Sequence, residues 1–196
     1  MKSSLLSTYR THPVHHFPWL SIETGHTALA QALLQAASQL TGPKILVIDG
    51  FIGVPWSDFI ASFSTALAGY TSAIRWFTTE TCLRPACQLQ ALLAPSLTQD
   101  PVFGHLFRGE LEDFWMPEQL ANLREQLATS TNESLKIVYG FGASCVTDHG
   151  VHVYIDVPKD RCQQLAGQKA ICNLGAEEPE FFGAMYKRFY FVDWPV

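Results

Sequence analysis

The residues best equipped for chemistry lie in one stretch, Asp49-Gly50-Phe51-Ile52-Gly53-Val54-Pro55-Trp56-Ser57, directly after the apolar run Lys44–Ile48. A working phosphate loop reads G-x-x-x-x-G-K-[ST], set after a buried strand and before a helix. Gly50 fills the first anchor and Ser57 the last, but Pro55 stands where the second glycine belongs and Trp56 where the lysine belongs. Proline has no N–H to offer a phosphate oxygen, and an indole supplies one neutral donor and bulk in place of a charge. What remains is a helix N-terminus with a partial positive dipole, suited to a weakly held anion and poor for ATP turnover.

Asp49 and Asp156 each end a strand-like run, where a kinase would hold magnesium or a base. The ligand-binding candidates are therefore Asp49, Gly50, Gly53, Ser57 and Asp156, with no catalytic residue and no metal ligand assigned. Against them stands a plainer reading: 50–57 is a tight strand-to-helix turn, and both aspartates cap the turns that follow. Lys44, Lys136 and Lys187 are the cations that could replace the missing charge, though no motif places them.

Weaker constellations surround this one. Gly140-Phe141-Gly142 follows an apolar run, but Cys145 sits where a dinucleotide fingerprint needs its third glycine. Cys145 and His149 could form a thiol–base pair, though nothing in the sequence fixes their separation, and Glu80 could be a general base, though a solvated loop carboxylate is the plainer reading. His12, His15 and His16 with Glu23 suggest a metal, but adjacent side chains on an extended arm point apart. Surface histidines are the simpler expectation. No Gly-x-Ser-x-Gly elbow and no Cys-x-x-Cys occurs.

The elements that would carry these residues alternate. Residues 1–22, broken by Pro13 and Pro18, read as an extended arm with Tyr9, Phe17 and Trp19 available to dock; residues 23–196 read as one domain. Helices are expected over 24–40 with Thr24 as N-cap, 55–70, 84–96 closed by Pro95, 116–129 and 159–170. Strands are expected over 44–50, 72–79, 135–144, 151–158 and 187–194. The segment 98–115 is the least regular. Runs such as KILVIDG, apolar on both faces, suit central parallel strands covered by helices. The expected fold class is α/β, a doubly wound, mostly parallel sheet with a degenerate phosphate loop.

Composition narrows the partners. With 47% hydrophobic and 16% charged residues the chain folds, and a net charge of −5 without a basic cluster argues against nucleic acid. No apolar run approaches the ~18 residues of a membrane span, and the N-terminus lacks the pattern of a signal peptide. Five cysteines, an odd number scattered through the chain, fit free thiols and a cytoplasmic location.

Taken together, IDGFIGVPWSDF, IVYGFGAS, YIDVPKD and NLGAEEPEFFGAMYKRFYFVDWPV carry a resemblance. They resemble the N-terminal domain that precedes the zinc cupin in bacterial class I mannose-6-phosphate isomerase-like proteins, itself similar to a uridine-kinase-type domain. The resemblance implies a P-loop nucleoside-kinase-like layout and carbohydrate metabolism, with mannose-6-phosphate and fructose-6-phosphate interconverted by a cupin that binds zinc through His, Gln and Glu. None of those ligands maps onto this chain, so no cofactor is expected here. In the kinase relatives arginines follow the Asp-x-Pro strand end, whereas Arg161 here is followed by Gln163, Gln164 and Gln168.

The expectation is a non-catalytic kinase-like domain associated with such an isomerase. It would act in packing, as a partner of a cupin domain or a second copy, or in weak binding of a phosphorylated sugar or nucleotide. Should the natural protein continue past Val196, the 187–194 strand would lead into the next domain. The alternative is an active small-molecule or sugar kinase with an atypical phosphate loop.

Overall fold

Two runs with no polar face, ILVIDG and LKIVYG, make the centre of the sheet. They form β1 (Ile45–Gly50) and β3 (Leu135–Gly140), both buried along nearly their whole length. The flanking strands β2 (Ile74–Thr78) and β4 (Val151–Ile155) are only half-buried, as edges should be. Among the described residues the strands of this sheet pair in parallel, in the order β2-β3-β1-β4. The chain is represented by a computed structural model that describes residues 14, 16–19, 22–70, 73–129 and 134–196.

Alternation along the inner strands sorts two cores. Leu46 and Ile48 of β1, with Leu135 and Ile137 of β3, meet Ala30, Leu33 and Ala37 of α1 (His26–Ser38) and Phe63 of α2 (Trp56–Ala66). Ile45, Val47 and Val138 face the other way, onto Leu120, Leu123 and Leu127 of α4 (Pro117–Thr129) and onto Trp115. Helices flanking a four-stranded parallel sheet make the fold α/β, consistent with a doubly wound arrangement.

A third core is built at one end of the sheet. It gathers α3 (Ala86–Leu97), α5 (Lys159–Gly167) and α6 (Phe182–Arg188) through Leu89, Leu93, Cys162, Leu165, Met185 and Phe189. Residues just beyond each strand join it: Phe51 and Ile52 after β1, Leu83 after β2, Phe141 after β3 and Val157 after β4. This apolar layer therefore caps the carboxyl ends of the strands.

Three expectations need correction. Residues 187–194 are not a strand: α6 runs to Arg188 and continues as a π-helical turn over Phe189–Asp193. The aromatics that suggested period-two alternation also fit a helix. Phe182, Tyr186 and Tyr190 recur every fourth residue as one exposed ladder, while Met185, Phe189 and Val192 form the buried stripe. Pro95 does not close α3, which continues to Leu97. Gly25 rather than Thr24 occupies the N-cap of α1. Of the expected arm, Tyr9, His12 and His15 lie outside the described residues, and Phe17 and Trp19 stand exposed.

Candidate functional site

β1 leads through α2 to β2, beyond β3, whereas β3 leads to β4, beyond β1. The connections leave neighbouring strands in opposite directions, so the crevice at the carboxyl ends of β1 and β3 is the switch point where such sheets bind ligands. Asp49, Gly50, Phe141, Gly142 and Ser144 meet there. Two of the five candidate residues, Asp49 and Gly50, thus lie at this crevice.

Asp49 is already occupied. Its Oδ1 accepts from the N–H of Gly50 at 2.7 Å and of Gly142 at 2.9 Å. Its Oδ2 accepts from the Ser144 N–H at 3.1 Å and from the Ser144 hydroxyl. Four donors straddle one carboxylate and tie the turn after β3 to the end of β1. That turn exists because two glycines make it: Gly140 has φ +121° and Gly142 φ +70°, and a Cβ on Gly142 would lie 2.5 Å from the Trp115 ring. The three-residue 3₁₀ turn Ala143–Cys145 follows, not the α-helix that a dinucleotide fingerprint opens.

The phosphate-loop positions are filled as well. Trp56 lies over the first anchor: a Cβ on Gly50 would stand 2.8 Å from its ring. The indole also meets Tyr139 at 5.9 Å and Phe59 at 6.2 Å, centroid to centroid. Gly53, at φ +101°, is pressed onto the buried Cys162, whose Sγ would be 2.5 Å from an added Cβ. Beside this turn lies a small cavity of about 110 Å³, lined by Phe51, Gly53, Trp56, Phe141 and Cys172 among others. It is far below the roughly 300 Å³ at which small-molecule pockets begin. Ser57 and Asp156 lie exposed on the outside.

The three lysines that could have replaced the missing charge are spent elsewhere. Lys44 donates to Leu40 O at 2.7 Å and Ser38 O at 3.2 Å, Lys136 to Leu127 O at 2.9 Å, and Lys187 to Leu97 O. Each therefore satisfies carbonyls at the carboxyl end of a helix, α1, α4 and α3 in turn. Lys136 is fully buried, and desolvation, then the charge of Arg75, lowers its ammonium below the usual lysine range.

Nucleophilic chemistry finds no support in the thiols. Burial, followed by the charges of Glu112 and Asp49, pushes the Cys145 thiol above its ordinary value, which disfavours the thiolate that a Cys145–His149 pair would need. Burial likewise raises Cys82, Cys162 and Cys172. Next to Asp49 in the register, Tyr154 has its phenol raised by desolvation and then by the charges of Asp156 and Asp49. Glu80 stands exposed just beyond β2, where its own N–H bonds to the Thr78 hydroxyl at 3.2 Å. Among the described residues, no group of three His, Cys, Asp or Glu side chains is arranged to hold a metal ion, and no helix is long and apolar enough to cross a membrane.

The partnership of Asp49 with Gly142 and Ser144 was not anticipated from sequence. Its signal is the pair of parallel runs ending in Asp-Gly and Gly-Phe-Gly-Ala-Ser, which only the β1–β3 pairing brings together. No curated protein and no solved structure matches the chain. The family model described as Domain of unknown function (DUF8485) matches residues 25–196, from the residue before α1 to the end of the chain. The chain belongs to that family.

Proposed function

We propose that this chain is a non-catalytic module of P-loop nucleoside-kinase-like layout, its phosphate loop converted into a packed turn. The observation that supports this most is the state of Asp49 and the loop after it. The carboxylate is shared among four donors, and the indole of Trp56 occupies the space over Gly50. A triphosphate would have to displace both. The module's role is then packing against a neighbouring domain or a second copy. Its association with a mannose-6-phosphate isomerase-like protein follows from the sequence resemblance.

Calorimetric titration with ATP and magnesium tests the reading. The expected result is no saturable binding below about 1 mM, in the wild type and in Ser57→Ala alike. Micromolar affinity abolished by Ser57→Ala would overturn it in favour of an active kinase. Turnover of mannose-6-phosphate by this chain with added zinc would likewise overturn the assignment of isomerisation to a separate cupin.

A further inference from the structure

The worn loop is closed, but an open cavity of about 930 Å³ lies between the end of α3, the segment 104–109 and the π-helical turn. That volume falls in the range of small-molecule sites, about 300–1,000 Å³. Its walls are apolar, with Leu92, Leu106, Phe107 and Phe191 prominent, and the polar groups on it are few: Ser96, His105, Arg108 and Asp113.

The rim that carries these groups is fixed by the backbone. The N–H of His105 donates to Ser96 O at 2.8 Å, and the N–H of Phe107 to Phe191 O at 2.7 Å. The segment is thus clipped at one point to α3 and at another to the π turn. Gly104 permits the close pass, since a Cβ there would lie 2.4 Å from Ser96 O. The ring of Phe107 is seated edge-on against the buried Phe114 at 5.5 Å. π turns interrupt the helical hydrogen-bond ladder and recur at functional sites; here the interruption coincides with Phe191, which both lines the cavity and anchors the rim.

The charges set the ligand. Among the described residues Arg108 has no hydrogen-bond or ion-pair partner, and neither has the His105 imidazole, so a guanidinium and an imidazole line the cavity uncommitted. Asp113 is partly committed, its Oδ2 accepting from the Glu110 N–H at 2.9 Å. A fork of guanidinium donors matches a carboxylate or another oxyanion, and the aspartate offers an acceptor to a hydroxyl. We propose that this cavity binds a small organic anion that carries a hydroxyl on an apolar, aromatic-sized body. The site is separate from the Asp49 turn, and neither reading depends on the other.

The test uses 3-phenyllactate, which has all three features, titrated into the full chain and followed by backbone amide shifts. Two controls dissect it: lactate lacks the ring, and 2-phenylethanol lacks the carboxylate. The expected result is saturable shifts at 105–109, with each control binding at least about tenfold more weakly. Arg108→Gln should weaken phenyllactate by about tenfold or more, as loss of a charge-assisted hydrogen bond does. Leu106 is 59% exposed, so Leu106→Glu keeps the fold while setting a carboxylate at the cavity, and should weaken binding similarly. The proposal is overturned if both variants bind within about twofold of wild type. It is equally overturned if no amide in 105–109 shifts, or if the shifts centre on Tyr186 and Tyr190.

Discussion

The sheet and the apolar layer on its carboxyl ends reach similar burial by different means. In the sheet, side chains alternate between two faces, and backbone pairing satisfies the polar groups of the inner strands. The cap has no ladder. It collects pieces from 51–52, 83–97, 114, 162–174 and 185–192, and polar pins hold them. Arg188 donates to Leu174 O and Lys187 to Leu97 O. Asn173 donates to Met185 O at 3.1 Å and to the fully buried Asp193 at 2.5 Å. The Arg188 guanidinium stands 3.8 Å from Asp193. Apolar pattern specifies most of the first region, with Lys136 of β3 pinning the end of α4, whereas the second needs several polar partners to fix how its helices sit. The end of the sheet at which such folds bind ligands is here packed as a core.

The sharpest way to break that comparison is to hollow out each region in turn. Phe63 in the sheet layer and Phe189 in the cap are both fully buried. Phe63→Ala and Phe189→Ala should each cost about 3–5 kcal/mol, in a single denaturant transition monitored by circular dichroism. A separate early transition in Phe189→Ala would mean the cap folds as a unit of its own.

A smaller effect tests the polar pins. Burial pushes the Asp193 carboxyl up to about 7, against the opposing pull of Arg188 and Asn173. The folded chain therefore keeps a proton that the unfolded chain releases near pH 4. Because the folded state binds more protons in that window, the contribution of Asp193 to stability falls as pH rises from about 4 to about 7, then levels off. The slope is at most about 1.4 kcal/mol per pH unit. The difference in unfolding free energy between wild type and Asp193→Asn, measured at several pH values, should show this decline. A difference that does not vary with pH would remove the buried neutral carboxyl from the account.

The same contrast governs what could be read in advance. β1, β3 and the helices between them were legible because their apolar periodicities have one solution. The final helix was not: Phe189, Tyr190, Phe191 and Val192 satisfy both a strand and a helix, and only contacts with Leu89, Leu93 and Leu174 select the helix. The residue types over 50–57 were legible, including Pro55 and Trp56 where a phosphate-loop pattern would carry glycine and lysine. The engagement of Asp49 was not, since its partners lie 93 and 95 residues away on a neighbouring strand's exit. The cavity beside Phe191 depends on backbone clips at Ser96 and Phe107 that leave no trace in composition.

Amide hydrogen exchange at Gly142 tests the central claim, that the crevice between β1 and β3 is closed by Asp49. The account predicts exchange as slow in the wild type as at the inner strands, unaffected by ATP and magnesium, and at least about tenfold faster in Asp49→Ala, where a charge-assisted hydrogen bond is lost. Rapid exchange in the wild type that slows when ATP and magnesium are added would contradict it, because Asp49 would then be free to serve a ligand.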